Sequence, residues 1–217
     1  MNEIHNWKRW IGTDESGKGD YFGPLVVAGV YVEPECRCKL LEIGITDGKK
    51  ISNSLVRKLA DWMWINYEGH IQIEEKMPDE YNKEYDNLII RGENSSRILA
   101  NLHISVIQTL SKRFEVKHAL VDKFPYNDKT SLIPQQDIKI KLVTKGERDI
   151  AVAAASIIAR DRFLAGMESL SNKYEFQLPR GASQVIDAGR EFVKLNGEES
   201  LRNVAKLHFR TTQQVIG

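Results

Sequence analysis

The feature that most constrains this chain is the run Gly12-Thr13-Asp14-Glu15-Ser16-Gly17-Lys18-Gly19-Asp20-Tyr21-Phe22-Gly23-Pro24, set between two apolar segments. Trp7 to Thr13 reads as a strand. Leu25 to Val32 is apolar almost throughout and reads as a strand buried on both faces, paired with the first. The adjacent carboxylates Asp14 and Glu15 therefore end a strand, and a glycine-rich turn follows them. Glycine lacks a Cβ, so such a turn can take left-handed backbone and bring its N–H groups close to a ligand. Carboxylates at a strand end beside this kind of turn suit a divalent cation, with something anionic held across it. A solvated turn with incidental acids is the alternative at this point.

Length and charge narrow the classes. The 217 residues suffice for one sizeable core, so the chain is read as one domain over 1–217 whose C-terminal part, from about 178, is helical. With 31 basic against 30 acidic residues the net charge is +1, so a nucleic acid would have to be held by a local patch. Gly17-x-Gly19-x-x-x-Gly23 misses the dinucleotide fingerprint by one position, and no G-x-x-x-x-G-K-[S/T] run exists, which argues against a nucleotide-dependent dehydrogenase or a P-loop enzyme. Cys36 and Cys38, alternate residues on a segment read as extended, would close too small a ring for a structural disulfide and lack the partners of a metal pair. Both are expected as free thiols. With no basic-then-apolar leader and no apolar run of bilayer length, the expectation is a soluble cytoplasmic protein without a membrane partner.

Further along, Ser52 or Asn53 caps an expected helix over Ser54 to Tyr67, with Leu55, Leu59 and Met63 on its apolar face, and Gly69 stops it. His70 to Met77 alternates as a strand. A short helix is expected from Pro78 to Asn87, and a longer one, capped by Asn94-Ser95-Ser96, to about Arg113. On that helix His103 reads as a packed or hydrogen-bonded residue rather than a ligand. His118 to Asp122 and Ile138 to Val143 read as strands. Arg148 to Tyr174 is the longest helical pattern, and its first half, Ile150 to Ala159, is small and apolar all round, which marks a buried helix lying close to a sheet. Leu178 to Gly181 breaks the chain. An amphipathic helix from Ala182 or Ser183 to Asn196, closed by Gly197, and a short helix over Glu198 to Leu207 complete the pattern.

Three of these strands run into acids: Asp14-Glu15, Asp122 and Glu147. Two like charges roughly 4 Å apart repel by about 4 kcal/mol at an effective dielectric near 20. Gathering four is unfavourable without cations between them, whereas two metal ions remove that cost and orient water for in-line attack on a phosphodiester. An oxygen-only donor set favours Mg2+ or Mn2+ over zinc. Ordinary surface acids at Asp122 and Glu147 are the other reading. Lys18, Lys49, Lys50, Lys145, Arg148 and Arg160 could form a phosphate-contacting rim.

The same residues resemble type 2 ribonucleases H, in the ribonuclease HIII form. Asp14 to Leu25 is similar to the family's opening signature, and Asp47-Gly48-Lys49-Lys50 to its D-S-K loop, with Gly48 in place of the serine. Val121-Asp122 and Lys145-Gly146-Glu147 resemble the third and fourth acid motifs. Ala153 to Arg160 resembles the helix after them. Leu178 to Ser183 and Val204 to Phe209 resemble the C-terminal part. The resemblance implies an α/β ribonuclease H-like fold, with a mixed central sheet, antiparallel at its start, flanked by helices, and a helical C-terminal extension. It implies endonucleolytic hydrolysis of the RNA strand of RNA–DNA hybrids by a monomer using Mg2+ or Mn2+. Asp14, Glu15, Asp122 and Glu147 would be the catalytic metal ligands. Ser16, Gly17, Lys18, Gly19, Lys49, Ser156 and Arg160 would contact substrate. The HIII form also carries an N-terminal substrate-binding domain, whereas here the signature begins close to Met1. Lys18 where the HII form has arginine, and Glu147 rather than aspartate, both agree with the HIII form. A non-catalytic or partner-dependent hybrid-binding module is the competing expectation.

Overall fold

In the computed structural model, residues 4–45, 51–123, 138–181 and 184–217 are described. Five strands, β1 (Trp10–Ser16), β2 (Leu25–Val32), β3 (Ile71–Lys76), β4 (His118–Asp122) and β5 (Lys139–Val143), form a mixed sheet in the order β3-β2-β1-β4-β5. β1 pairs in parallel with β4, and β4 with β5. The first strand starts three residues later than the apolar pattern predicts and continues through both acids to Ser16. Asp14 and Glu15 thus lie within the strand, just past the last residue in register with β4, Thr13. β2 is buried along its whole length, as its unbroken apolar sequence requires.

Close contacts divide the chain into two compact units. The first comprises Met1–Glu15, Val27–Glu74 and Leu99–Asp161. Here α1 (Pro34–Glu42) forms where the sequence suggested an extended segment. Proline at the first helical position and Glu35 in the first turn are good helix starters, and they outweigh the weak apolar period. The helix separates the two thiols: Cys36 is buried, Cys38 is exposed, and both are free. Burial pushes the Cys36 thiol up to about 12, which makes it inert. α2 (Asn53–Tyr67) is capped by the Ser52 hydroxyl, which accepts from the Leu55 amide at 3.3 Å. Its buried face is Val56, Leu59, Ala60 and Met63. Leu55, assigned to that face from the sequence, is 42% exposed because the stripe begins one residue later. A 3-10 turn, Glu68–His70, follows it and contains Gly69.

α4 (Ser95–Phe114) and α5 (Ile150–Lys173) are the long helices. Residues 150–159 of α5 are buried without exception. The small side chains there let helix and strand backbones nearly touch: a Cβ added to Gly12 of β1 would stand 2.3 Å from the backbone of Ala151 and Val152. Asp149 caps the helix, its Oδ1 accepting from the amides of Ala151 at 2.9 Å and Val152 at 3.3 Å and from Trp10 Nε1 at 3.0 Å. The helical periodicity alone starts this helix at Arg148 and gives no sign of the cap.

The second unit comprises Ser16–Val26, Glu75–Ile98 and Arg162–Gly217. It holds α3 (Pro78–Ile90), α6 (Val185–Asn196) and α7 (Thr211–Ile216). α3 runs three residues beyond the predicted Asn87. Ala182 and Ser183, the predicted start of α6, lie outside the described residues, and Gly197 closes that helix at φ 80°. The predicted helix over Glu198 to Leu207 is not formed. A 3-10 turn covers Glu198–Asn203, and Ala205 then bridges antiparallel to Phe22. The buried Asn82 side chain takes the backbone groups that a helix would use: Nδ2 donates to the carbonyls of Arg202 at 2.9 Å and Ala205 at 2.8 Å, and Oδ1 accepts from the Leu207 amide at 2.9 Å. α7, which the sequence pattern did not suggest, packs Val215 onto Gly189 of α6.

Candidate active site

The register of β1 on β4 is Ile11 with Ala119, Gly12 with Leu120 and Thr13 with Val121. One further step sets Asp14 beside Asp122, at the carboxyl ends of adjacent parallel strands. Ligand sites of open α/β sheets form at such ends. Residues in register on parallel strands project to the same face, and successive residues to opposite faces. Asp14 therefore shares a face with Gly12 and α5, while Glu15 shares one with Thr13 and α4. Asp14 is 2% exposed, and its Oδ1 accepts from the Glu15 amide at 2.9 Å.

Backbone donors hold Asp122. Its Oδ1 accepts from the amides of Gly146 at 2.9 Å and Lys123 at 3.1 Å. A Cβ on Gly146 would lie 3.1 Å from the Asp122 Cα and Oδ1. That close approach draws the 3-10 turn Gly146–Arg148, and with it Glu147, onto the end of β4. Lys145, at φ 57°, supplies the left-handed turn that makes this possible.

Glu15 has a neighbour in His103, which the sequence reads as a packed or hydrogen-bonded residue rather than a ligand. His103 of α4 is fully buried; its Nδ1 is 2.9 Å from Thr13 Oγ1, and its Nε2 is 3.5 Å from Glu15 Oε2. If the Thr13 hydroxyl donates to Nδ1, the neutral ring carries its proton on Nε2, the ring nitrogen nearer the Glu15 carboxylate. A histidine at an apolar helix position opposite an acid-bearing strand was the only signal available.

Among the described residues, no group of three His, Cys, Asp or Glu side chains is gathered tightly enough to hold a metal ion as it stands. The donor chemistry nonetheless fits a hard divalent cation, since the four acids offer carboxylate oxygens and no thiolate stands among them. Asp14 and Asp122 each follow the last residues in register, Thr13 and Val121; Glu147 follows Gly146, whose amide donates to Asp122; and Glu15 adjoins Asp14 on the opposite face.

The expected substrate contacts divide. Lys49 lies outside the described residues. Ser156, on α5, is 5% exposed. Arg160 donates to the Ile51 carbonyl at 3.1 Å and to Asn53 Oδ1 at 2.7 Å, so part of its guanidinium holds the start of α2.

In the second unit the turn after β1 presents Lys18 and Gly19 to solvent, while Gly17 is buried. The two glycines have different reasons. Gly17 has φ 84°, and a Cβ there would stand 2.1 Å from the Pro24 carbonyl oxygen and 2.7 Å from the Phe163 ring. At Gly19 a Cβ would meet nothing within 4 Å. Gly17 is needed by the fold, whereas no packing among the described residues requires a glycine at position 19.

The family profile for Ribonuclease HII matches residues 11–212. The Ribonuclease HIII of Protochlamydia amoebophila is 36% identical over 212 residues, which cover 95% of this chain and 68% of that protein. The crystal structure of a mutant protein of Bst-RNase HIII superposes with a TM-score of 0.84 at 30% identity, covering 95% of this chain and 68% of that one. The structure of Bst-RNase HIII in complex with Mn2+ gives 0.82 at 30% identity, covering 96% and 69%.

Proposed function

The chain belongs to the ribonuclease HII family and has a ribonuclease H-like fold, and on that premise we propose how its own residues carry the activity. It is a ribonuclease H acting on RNA–DNA hybrids. The RNA strand is cut internally, leaving 3′-hydroxyl and 5′-phosphate ends.

Asp14, Glu15, Asp122 and Glu147 are the ligands of Mg2+ or Mn2+. The observation that carries this reading is the β1–β4 register, which sets Asp14 beside Asp122 while the Gly146 amide ties the Glu147 turn to the same carboxylate. The Mn2+ in the Bst-RNase HIII complex supports the choice of metal. Bound there, a pair of such ions supplies Lewis-acid polarisation of the scissile phosphate and activation of water. The chain's part is to hold the oxygens ready. Asp122 is fixed through Oδ1, and Glu15 is steered by His103.

Ser16, Gly17, Lys18 and Gly19 read the RNA strand. The 2′-hydroxyl separates RNA from DNA and both donates and accepts a hydrogen bond, so backbone groups at an uncovered glycine suit it. Lys18 adds a cation toward phosphate. Lys49, Ser156 and Arg160 complete the phosphate contacts, with Arg160 acting in part through the start of α2. Lys18 in place of arginine favours runs of ribonucleotides over a single ribonucleotide in duplex DNA. The intact acids argue against a non-catalytic or partner-dependent binding module. The chain acts as a monomer in the cytoplasm, where its nucleic-acid substrate is found, and away from membranes. Among the described residues no helix is long and apolar enough to cross one.

Incubating the chain with a labelled RNA–DNA hybrid tests the reading. Cleavage with Mg2+ or Mn2+, none in EDTA, and slower cutting of a duplex bearing one ribonucleotide are expected. Turnover in EDTA, or none with either metal, overturns it.

A further inference from the structure

Lys206, at 1% exposure, is the one lysine or arginine among the described residues that the fold buries. Removing an ammonium from water is costly, and a methionine or leucine would fill the same space without that cost. What the amine does there is specific. Its Nζ donates to the Gly23 carbonyl at 2.7 Å. The backbone around it forms a short ladder: the Lys206 amide donates to Tyr21 O at 2.9 Å, the Gly23 amide to Val204 O at 2.9 Å, and Phe22 bridges Ala205. The segment 204–206 thus closes on 21–23, and the lysine side chain adds one more bond to the carbonyl at the far corner.

That corner is mechanically linked to the turn. Gly23 sits at φ 86°, a left-handed conformation that a side chain at this position would strain. The next residue, Pro24, directs its carbonyl oxygen at Gly17, to within 2.1 Å of where a Cβ would be. Rotating the Gly23 carbonyl away from Lys206 turns the peptide that leads into Pro24, and that in turn shifts the surface on which Gly17 rests. Asp20, inside the same turn, is tied by its Oδ1 to the Gly181 amide at 3.1 Å.

We infer that Lys206 is a positioning residue for the ribonucleotide-reading turn, acting through the Gly23 carbonyl to hold Gly17 and Gly19 in the geometry that distinguishes a 2′-hydroxyl from a deoxyribose. The inference rests on the assignment of that turn to substrate reading. The charged and titratable groups facing the amine are Asp20, which favours the ammonium, and His208, which burial and the ammonium push down to about 4. Burial lowers Lys206 itself to about 7, against the pull of Asp20, so the strength of its grip on Gly23 changes near neutral pH. Loss of the proton turns a charge-assisted bond into a weaker neutral one.

The test is the ratio of affinities for an RNA–DNA hybrid and for duplex DNA of the same sequence, measured by fluorescence anisotropy in EDTA so that neither is cut. Lys206→Met keeps the side-chain volume and removes the donor. The ratio is expected to fall about tenfold, the worth of one charge-assisted hydrogen bond, with Mn2+ affinity unchanged. Lys206→Gln, which keeps an N–H donor, should recover part of it. A folded Lys206→Met protein with the wild-type ratio overturns the inference. Gly19→Val is the control: if it too leaves the ratio unchanged, the assignment of the turn has failed, whereas a fall in Gly19→Val alone leaves the turn intact and removes Lys206. Should neither lysine variant fold, the wild-type amide resonances decide. Gly17 and Gly19 shifting with Gly23 as the amine titrates near pH 7 supports the coupling, and stationary Gly17 and Gly19 signals overturn it.

Discussion

The acid-bearing strand ends and the glycine turn are consecutive in sequence, yet they are built by opposite means. The acids are placed by backbone register between two adjacent strands. Once β1 and β4 align, Asp14 lies beside Asp122, and one backbone amide brings in the Glu147 turn. The glycine turn takes its shape from afar, since its far corner is fixed by residues 204–206, about 180 positions later in the chain. The first region should therefore tolerate isosteric changes and lose only chemistry. The second should lose shape when distant residues change.

The sharpest break of that comparison is at the acids. Asp14→Asn, Glu15→Gln, Asp122→Asn and Glu147→Gln should each reduce metal-dependent hybrid cleavage by about 10³-fold or more, since a neutral amide is a poor cation ligand. Circular dichroism and the thermal midpoint should stay close to wild type. Unfolding of the Asp122→Asn protein would show that the acid edge, too, depends on its charges for shape.

Next in size is the pH dependence of stability, which belongs to the second region. Lys206 is held at about 7 when folded, from its ordinary 10.5, by burial. Between those values the unfolded chain binds more protons, so stability rises with pH across that window and the gain is absent below about 7. His208, lowered from 6.5 to about 4 by burial first and Lys206 second, adds a loss of stability as pH falls from 6.5 toward 4. The lysine contribution is on the order of 2–4 kcal/mol. Urea midpoints at pH 5, 7 and 9 should increase in that order, and Lys206→Met should flatten the upper step.

Two glycines two residues apart sharpen the contrast within the turn. Gly17→Ala should cost about 1–3 kcal/mol, from positive φ and collision with a carbonyl. Gly19→Ala should change stability by no more than about 0.5 kcal/mol while weakening hybrid binding. Equal stability losses would show that the two glycines share one structural role.

The smallest effect concerns the link from Thr13 through His103 to Glu15. Thr13→Val is nearly isosteric and removes the hydroxyl, and it should lower Mn2+ affinity about tenfold by titration calorimetry, with Thr13→Ser close to wild type. An unchanged affinity in Thr13→Val would mean that Glu15 needs no steering from α4.

Much of this was legible in the chain itself. Strand, turn and buried-helix periodicities come from local side-chain chemistry, so β4, α2 and α5 fall within two residues of where their patterns put them. The same logic set the acids at strand ends, and His103 was rightly read as a packed residue. Local signals failed where a distant partner supplied the missing bonds. Nothing near Leu207 announces that Asn82 will take the carbonyls of Arg202 and Ala205 and prevent a helix there. Lysine in Val204-Ala205-Lys206-Leu207 looks like a surface charge until the fold encloses it. Composition and spacing determined the elements and their acids, because those rest on interactions within a few residues or along one strand pair. Only the tertiary structure decided which glycine is structural, which histidine meets Glu15 and which lysine is buried, because each depends on side-chain surroundings that no pattern along the chain encodes.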